Sequence, residues 1–305
     1  MSSKCPICLT NKISFVQELV NTDIQTNVYR CESCDLDFLD TWDNVEYVKS
    51  LYEGDKYIFT HNVGCDDKSN LKFNEYDKRY DFIKGTLGKN KTLLEIGCGD
   101  GTFLDMIRSD VKVAEGVELS PPQVKKVREN GYTCYDVMID EMEPSQRYDI
   151  VCMFALLEHV PNIGDFLQNL KKYVHEQSHI YIEVPNLNNA LASAYDISNF
   201  RDFYYRPIHL YYFTPKSLVK LLNKYGFDAD IHTMQQASLT NHFHWMYNKH
   251  GQANASSMTS VDLPIEIMDK LPMYEILDKV DDYYRELCEK QMMGDLLSAH
   301  AVLAK

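Results

Sequence analysis

The pattern of apolar positions along the chain predicts short buried strands that alternate with amphipathic helices. Runs of apolar and β-branched residues predict seven strands, at residues 92–96, 112–118, 132–137, 148–154, 180–184, 228–234 and 296–303. Of the helices between them, the clearest follows the cap Thr214, with Pro215 in its first turn and Gly226 after its end. Because strands that alternate with helices form a parallel sheet covered on both faces, we expect an α/β fold with a mostly parallel, seven-stranded sheet.

The turn after the first predicted strand is rich in glycine. Residues 93–104 read LLEIGCGDGTFL, in which Gly97, Gly99 and Gly101 separate the strand from the start of a helix. Glycines at alternate positions let the main chain approach a ligand closely, and the NH groups of a helix start favour a polar or negatively charged group. The sequence therefore predicts a small-molecule site on this turn.

An acidic residue ends the second predicted strand. Glu118 stands where nucleotide-binding folds commonly place a carboxylate against the hydroxyls of a ribose. Charge-assisted hydrogen bonds contribute about 1.5–3 kcal/mol, so their loss should weaken binding about tenfold to a hundredfold. Glu118 is therefore a candidate for holding the ribose of a ligand that lies on the glycine turn.

Four of the nine cysteines form two CxxC pairs near the N-terminus, CPIC and CESC. Such pairs suit tetrahedral thiolate ligation of zinc, and a segment of about forty residues cannot easily bury enough apolar surface to fold without such a ligand. Disulfides are the weaker alternative in a chain that we expect to be cytoplasmic. We therefore predict a structural Zn²⁺ held by Cys5, Cys8, Cys31 and Cys34 in a zinc ribbon.

Charge and hydropathy limit the kinds of partner. The formal charge is −14 at pH 7, and acidic side chains also outnumber basic ones in residues 1–40. Because binding to nucleic acid depends on a Lys/Arg surface, we expect small-molecule substrates and no nucleic-acid partner. No apolar run reaches the roughly 18 residues of a membrane span, and the first ten residues lack the apolar centre of a signal peptide. We therefore expect a cytoplasmic protein that does not bind membranes.

Three segments together resemble the signature of class I S-adenosylmethionine-dependent methyltransferases. They are the glycine turn, the acidic residue in GVELS, and YDIVCMFALLEHV at residues 148–160. An acidic residue before GxGxG is the usual form in that family, whereas dinucleotide dehydrogenases space their glycines as GxGxxG. The resemblance implies a Rossmann-like fold and S-adenosyl-L-methionine (SAM) as cofactor. The cofactor-binding residues that it implies are Arg79, Glu95, Gly97, Cys98, Gly99, Gly101, Phe103, Glu118, Leu119, Val137, Met138, Phe154 and Leu157.

The family pattern also implies which part of the cofactor each of these residues contacts. The glycines would pass under its methionine part, Val137 and Met138 would flank the adenine, and residues 154–158 would close the site near the sulfonium. Arg79 belongs to a predicted helix at residues 75–87. It would meet the carboxylate of the ligand, with plain surface packing as the alternative.

A narrower resemblance concerns sugar methyltransferases of bacterial polysaccharide and antibiotic biosynthesis, which combine a four-cysteine zinc module with this fold. Their carbon-methylating members carry a Glu-His pair in a stretch similar to RPIHLYYFT at residues 206–214. Here His209 matches the histidine, but Ile208 stands at the glutamate position and cannot accept a proton. We therefore expect O-methylation of a sugar or related component of surface polysaccharide. Carbon methylation of a nucleotide keto-sugar, and a zinc-bearing interaction protein that binds the cofactor without turnover, are the alternatives.

Two histidines are candidates for a general base. Methyl transfer to a hydroxyl requires the acceptor oxygen to be aligned with the methyl carbon and its proton to be removed. We predict His209 and His159 as catalytic residues, because His159 follows the fourth predicted strand at the edge where open sheets bind ligands. A purely structural role is the alternative for His159, and substrate binding or a structural role for His209.

The pattern divides the chain into five segments. They are a zinc ribbon at residues 1–42, a helical connection and pocket roof at 43–90, the methyltransferase core at 91–248, a helical insertion at 249–292, and the last strand of the core at 293–305. Residues 187–205, rich in Asn, Asp and aromatics, form a predicted substrate loop. The insertion would be a lid, which we favour, or the contact of a homodimer.

A second pair of histidines lies in a segment that we predict to be extended. His242 and His244 alternate there and would point to one face. No acidic partner is evident nearby in the sequence, so a pocket wall or plain strand surface is favoured over a metal site.

Overall fold

The computed structural model describes residues 4–19, 26–46, 75–143, 146–252 and 273–305. Most of the predicted pocket roof, residues 47–74, and the first part of the predicted insertion, residues 253–272, lie outside these ranges. None of the helices in the described ranges has the length and apolar character needed to cross a bilayer.

The described residues form two sheets. The strands are β1 (Ile13–Leu19), β2 (Thr26–Cys31), β3 (Asp37–Leu39), β4 (Gly88–Ile96), β5 (Val111–Val117), β6 (Thr133–Tyr135), β7 (Tyr148–Phe154), β8 (Val174–Pro185), β9 (Tyr211–Tyr212), β10 (Phe227–Met234) and β11 (Leu296–Leu303). The larger sheet has seven strands in the order β10-β11-β8-β7-β4-β5-β6. Its strands run parallel except β11, which is antiparallel to both of its neighbours. The predicted α/β fold with a mostly parallel seven-stranded sheet is confirmed.

Helices cover the large sheet. They are α1 (Glu75–Ile83), α2 (Thr102–Ile107), α3 (Pro121–Glu129), α4 (Ile163–Leu170), α5 (Ser198–Tyr204), α6 (Pro215–Lys224), α7 (Leu239–Asn248) and α8 (Met273–Lys290). In α6 the Thr214 side chain accepts from the Ser217 N–H and the Ser217 side chain bonds back to residue 214, a capping box that fixes the start of the helix. Leu218, Leu221 and Leu222 are at most 1% exposed, so the apolar stripe of α6 faces the core.

The predicted extended segment with His242 and His244 is helical instead, as part of α7. The Ser238 side chain accepts from the Asn241 N–H and starts the helix. Residues two apart lie on opposite sides of a helix, so the two histidines do not share a face. His242 is fully buried, with Nδ1 2.6 Å from the Tyr284 hydroxyl, and burial lowers its pKa to about 3. It is a neutral packing residue.

The smaller sheet joins the cysteine-rich segment to the rest of the molecule. Its order is β1-β2-β3-β9, and β3 pairs with β9 through Asp37 with Tyr212 and Phe38 with Tyr211. Buried residues of the two sheets form one continuous hydrophobic cluster. The cysteine-rich segment therefore braces the chain just after residues 206–210.

Candidate functional site

A cavity of about 460 Å³ opens at the carboxyl edge of the large sheet. The ends of β4, β5 and β7 and the turns that follow them form its wall. This is the edge at which open parallel sheets bind ligands. Of the predicted cofactor residues, those lining the cavity are Arg79, Gly97, Gly99, Glu118, Leu119, Val137, Met138 and Phe154.

The glycine turn has the backbone that its composition predicts. Gly97, Gly99 and Gly101 have φ values of 77°, 53° and 81°, a region that other residues adopt with strain. A Cβ added at Gly97 would lie 3.1 Å from the Leu156 side chain, whereas one added at Gly99 would meet only open space. Gly99 is thus the point of the turn where a ligand can lie directly against the backbone.

Glu118 fastens the glycine turn to the end of β5. Its Oε2 accepts from the Gly99 N–H at 3.0 Å, and its Oε1 accepts from the N–H groups of Leu119 at 2.9 Å and Ser120 at 2.8 Å. Burial raises the pKa of Glu118, although these three donors work in the opposite direction. The carboxylate lines the cavity and has lone pairs left for hydroxyl donors.

Five predicted cofactor residues lie behind the wall: Glu95, Cys98, Gly101, Phe103 and Leu157. The Cys98 Sγ points at Gly116 in β5, and Phe103 packs edge-to-face on Phe154 with ring centroids 5.1 Å apart. The cavity itself is lined by backbone and by the neighbours of these residues. These five residues support the shape of the glycine turn from behind.

Glu95, next to the end of β4, is a buried carboxyl group and a much weaker acid than an ordinary glutamate. It is 4% exposed, and burial raises its pKa to about 8. Its Oε2 has no hydrogen-bond partner among the residues that the structure describes. Because an ionised carboxyl group without a partner is costly in the interior, additional positive charge in the cavity would favour its ionised form.

Arg79 reaches the cavity from α1 and is tied down by an ion pair. Its guanidinium donates to Glu183 Oε1 near the end of β8, through Nε at 3.0 Å and through Nη2. The same guanidinium lies over the Phe154 ring, 5.0 Å from its centroid. Arg79 therefore joins α1 to two strands at the cavity, and the surface-packing alternative does not describe it.

His159 lines the cavity and lies just after β7, at the end of the short turn of helix Leu157–His159. Its Nδ1 lies 2.8 Å from the Ile208 carbonyl oxygen. Since a carbonyl oxygen only accepts, Nδ1 carries the hydrogen, and the lone pair of the neutral ring is on Nε2. The Leu210 N–H donates to the Glu158 carbonyl at 2.7 Å, so two hydrogen bonds fasten residues 208–210 to this corner.

His209 and Glu158 complete a cluster around His159. The rings of His159 and His209 meet edge-to-face with centroids 4.8 Å apart. A Glu158 carboxylate oxygen lies 3.8 Å from His159 Nε2, and ligand atoms of all three residues lie within 4.8 Å of one another. His209 contacts His159 and is not among the residues that line the cavity.

Glu158 falls within residues 154–158, which the sequence placed near the sulfonium, but its position beside the two histidines was not predicted. It is 1% exposed, burial raises its pKa to about 8, and its Oε2 has no partner in the described ranges. In the sequence, Ile208 stands at the glutamate position of the carbon-methylating members and cannot accept a proton. The structure supplies a carboxyl group from the end of β7, next to His159 in the sequence, and Ile208 contributes its carbonyl oxygen instead.

Other residues that line the cavity could not be recognised from the sequence. Ala155 has φ +50° and donates its N–H to the Glu183 carbonyl at 2.8 Å, which places a strained turn directly at the end of β7. Polar side chains along the same wall are Asp140, Asn162, Asp165 and Asn169. They come from loops and one side of α4, where composition alone does not separate a site from a surface.

The four cysteines of the CxxC pairs are brought together as predicted. Cys5 and Cys34 have their Sγ atoms 3.6 Å apart, Cys8 and Cys31 theirs 3.4 Å apart, and all four lie within 4.8 Å. Tetrahedral thiolates at the usual Zn–S distance of about 2.3 Å have sulfurs roughly 3.8 Å apart. The cluster therefore fits a Zn²⁺ ion.

A parallel sheet with a glycine turn after its first strand, a carboxylate after the next and a cavity at their carboxyl ends is the architecture of nucleotide-binding α/β folds. The comparisons with known proteins define the class further. Residues 69–232, more than half of the chain, match the family model described as "Methyltransferase domain". The chain belongs to this family, and its core is a SAM-dependent methyltransferase domain.

Individual relatives are distant. A ubiquinone biosynthesis O-methyltransferase of Coxiella burnetii is 25% identical over 108 residues, which cover 33% of this chain and 46% of that protein. An uncharacterised methyltransferase of Schizosaccharomyces pombe is 32% identical over 79 residues, 24% of this chain and 30% of that protein. Among solved structures, the plantazolicin methyltransferase BpumL, in complex with a triazolic desmethylPZN analogue and S-adenosylhomocysteine, is similar in fold. Its TM-score is 0.50 and its identity 16%, with 85% of this chain and 99% of that chain covered.

Proposed function

We propose that the protein is a SAM-dependent O-methyltransferase that acts on a hydroxyl of a small polar acceptor. The observation that carries this proposal is the position of His159, which lines the cavity just after β7 while its Nδ1 is bonded to the Ile208 carbonyl oxygen. The O-methyltransferase names of several relatives support the same reaction class. We propose a sugar, or a related component of bacterial surface polysaccharide, as the acceptor class.

The cofactor half of the cavity supplies the residues that would hold SAM. Glu118 would accept from the ribose hydroxyls, Val137 and Met138 would flank the adenine, and Gly99 would let the methionine part lie against the backbone. Glu95 would ionise in response to the positive charge of the ligand, which offsets its burial. When bound, SAM supplies a methyl group on a cationic sulfur.

The acceptor half supplies the base. His159 would take the hydroxyl proton on Nε2, a step that typically contributes about 100-fold to 10,000-fold. The resulting imidazolium would face the Glu158 carboxyl, 3.8 Å away, and keep its Nδ1 hydrogen bond to the Ile208 carbonyl. His209 would position His159 through their ring contact.

Two further features support a hydroxyl-rich acceptor and a structural zinc. Asp140, Asn162, Asp165 and Asn169 give the cavity several hydrogen-bonding groups of the kind that bind sugars. Zinc at the four cysteines would hold β3 against β9, and β9 follows the stretch that fastens His159. The proposed role of zinc is thus to fix the acceptor half of the site.

The proposal is tested in two steps with the full chain. Calorimetric titration with S-adenosylhomocysteine (SAH) should show binding, and a methyl-release assay over nucleotide sugars and phosphorylated small molecules should find turnover that His159→Asn abolishes. Binding without turnover on any member of the panel would favour the interaction-protein alternative. Absence of binding would refute both.

Carbon methylation stays the alternative that Glu158 favours, since the histidines do have a carboxyl neighbour. A carbon acid that is deprotonated before transfer exchanges its hydrogen with solvent. Incubation of keto-sugars with enzyme and SAH in D₂O separates the two reactions. Deuterium incorporation that depends on His159 would establish carbon chemistry, and its absence together with methyl ether formation would establish O-methylation.

The cluster of Glu158, His159 and His209 has a second chemical use, as a site for a divalent cation, because its ligand atoms lie within 4.8 Å. A cation there would occupy the histidine lone pairs that the base mechanism needs. Turnover that is lost on EDTA treatment and restored by Mg²⁺ or Zn²⁺, in enzyme that retains its cysteine-bound zinc, would favour the cation. Full activity after EDTA would favour the base.

A further inference from the structure

Helix α8 turns Asp281 and Cys288 inward and carries large apolar side chains on its outward side. Asp281 is fully buried, accepts from the Leu239 N–H at the start of α7 at 2.6 Å, and pairs with Arg285 at 2.8 Å. Arg285 also donates to the Gln236 carbonyl, after the end of β10, at 2.6 Å. Polar contacts thus attach α8 to the rest of the molecule.

The outer side carries four large apolar residues. Ile276, Val280, Tyr283 and Leu287 are 56%, 42%, 63% and 38% exposed. A helix at the surface of a monomer normally turns such a stripe to the core, and a continuous exposed stripe marks an interaction surface. None of the α8 side chains lines the cavity that the described residues form, so the structure gives this stripe no role as a lid.

The spacing of the stripe indicates a helical partner. Successive members are four, three and four residues apart, the alternation of the a and d positions of a coiled-coil seam. A seam of this kind fits one helix with a matching stripe. A second copy of α8 supplies that match without any other component.

Charged residues beside the seam determine whether the two α8 helices pair in parallel or antiparallel orientation. Lys279 and Glu286, both exposed, occupy positions on the same flank of the stripe, one heptad apart. In an antiparallel pair of α8 helices, with the two-fold axis between Val280 and Tyr283, Lys279 of one copy would face Glu286 of the other, twice. In a parallel pair these charges would face uncharged residues instead.

We propose that the protein forms a homodimer through antiparallel pairing of α8 helices along the stripe of Ile276, Val280, Tyr283 and Leu287. The stripe is about 17 Å long, short of what a standard interface needs, so the dimer should be weak and depend on concentration. The proposed dimer depends neither on the identity of the methyl acceptor nor on the mechanism of methyl transfer.

Sedimentation equilibrium of the full chain over a wide concentration range tests the dimer. The wild type should dimerise reversibly. Val280→Asp should abolish dimerisation while the circular dichroism spectrum and SAH binding stay unchanged, and the control Tyr247→Ser, on the 81% exposed tyrosine of α7, should leave the dimer intact. A wild type that is monomeric throughout, or a dimer that persists in Val280→Asp, would overturn the proposal.

A charge exchange tests the antiparallel direction. Lys279→Glu and Glu286→Lys should each weaken the dimer about tenfold or less, since exposed ion pairs contribute little, and the double variant should restore it. Absence of rescue would overturn the antiparallel arrangement. Residues 253–272 of the same chain are the competing occupant of the stripe. A monomeric wild type in which Val280→Asp raises hydrogen exchange in those residues would assign the stripe to them and refute the dimer.

Discussion

The two halves of the cavity are built in different ways. The centre of the cofactor half comes from one stretch of sequence, in which β4, the glycine turn, α2 and β5 follow one another and Glu118 bonds back to Gly99, and Arg79, Val137, Met138 and Phe154 join it from other elements. The acceptor half is assembled from the end of β7 and residues 206–210, with the cysteine-rich segment bracing the strand that follows. A contiguous site depends on local backbone conformation, whereas an assembled site depends on long-range packing. Variants should therefore affect the two halves separately.

The largest expected effect separates chemistry from cofactor binding. His159→Asn keeps a side-chain N–H where Nδ1 donates to the Ile208 carbonyl and removes the basic Nε2. We expect kcat to fall about 100-fold to 10,000-fold, with SAH affinity unchanged by calorimetry. His244→Asn on α7, outside the cavity lining, is the matched control and should retain wild-type kcat. A variant with kcat near the wild-type value would remove His159 from the mechanism.

The next effect concerns the bracing of the acceptor half. Cys31→Ser should release zinc and loosen the pairing of β3 with β9, so kcat/KM should fall by about a hundredfold through misplacement of the acceptor side. SAH affinity should stay within a factor of two or so, because the cofactor half contains no part of the small sheet.

Zinc content, measured by atomic absorption, and proteolysis of the N-terminal segment check the cause. Cys134→Ser, at a buried cysteine of β6 in the large sheet, should keep its zinc. Full zinc content in Cys31→Ser would contradict the assignment. Loss of SAH binding together with zinc would show that the two halves are not separable.

A smaller effect is confined to the cofactor half. Glu118→Ala should weaken SAH binding about tenfold to a hundredfold, because it removes the proposed ribose acceptor and the bonds that hold Gly99. Glu118→Gln, which keeps one oxygen acceptor, should lose less. Glu129→Ala, at an exposed carboxylate of α3, should bind SAH like the wild type. Unchanged affinity in Glu118→Ala would refute the ribose role.

The difference between the contiguous cofactor half and the assembled acceptor half explains how much of the site could be predicted from the sequence. The glycine turn, Glu118, the cysteine pairs and the positions of the seven strands along the chain follow from local pattern, whereas the order of the strands in the sheet comes from the structure. Glu158 could not be assigned because its importance depends on residues 208–210 folding against it. The extended conformation predicted around His242 was wrong: the alternation of His242 and His244 was interpreted as an extended segment, but the Ser238 cap begins a helix there. The polar contacts of α8 likewise depend on α7 and β10 as partners.

The smallest effect is a pH dependence in which each half contributes one carboxyl group. Burial raises the pKa of Glu95 and of Glu158 to about 8 in the folded protein, above the ordinary value of about 4.3 for the unfolded chain. A raised pKa means that the folded state binds more protons between these values. Each group therefore stabilises the fold fully below about pH 4, and this contribution is lost as the pH rises through about 8, with a slope of at most about 1.4 kcal/mol per pH unit.

Variants in which Gln replaces either glutamate show how much of this pH-dependent slope comes from each half of the cavity. In the ligand-free protein, the free energy of unfolding from denaturant titrations at pH 5 to 8 should fall less steeply in Glu95→Gln and in Glu158→Gln than in the wild type. Saturating SAH, whose amino group is cationic, favours the ionised form of a nearby carboxyl. It should remove the slope due to Glu95 and leave that due to Glu158, so the ligand should flatten the pH profile of Glu158→Gln more completely than that of Glu95→Gln. Equal flattening in both variants would mean that the cofactor's charge reaches Glu158 as well, and the two halves would then share one electrostatic site.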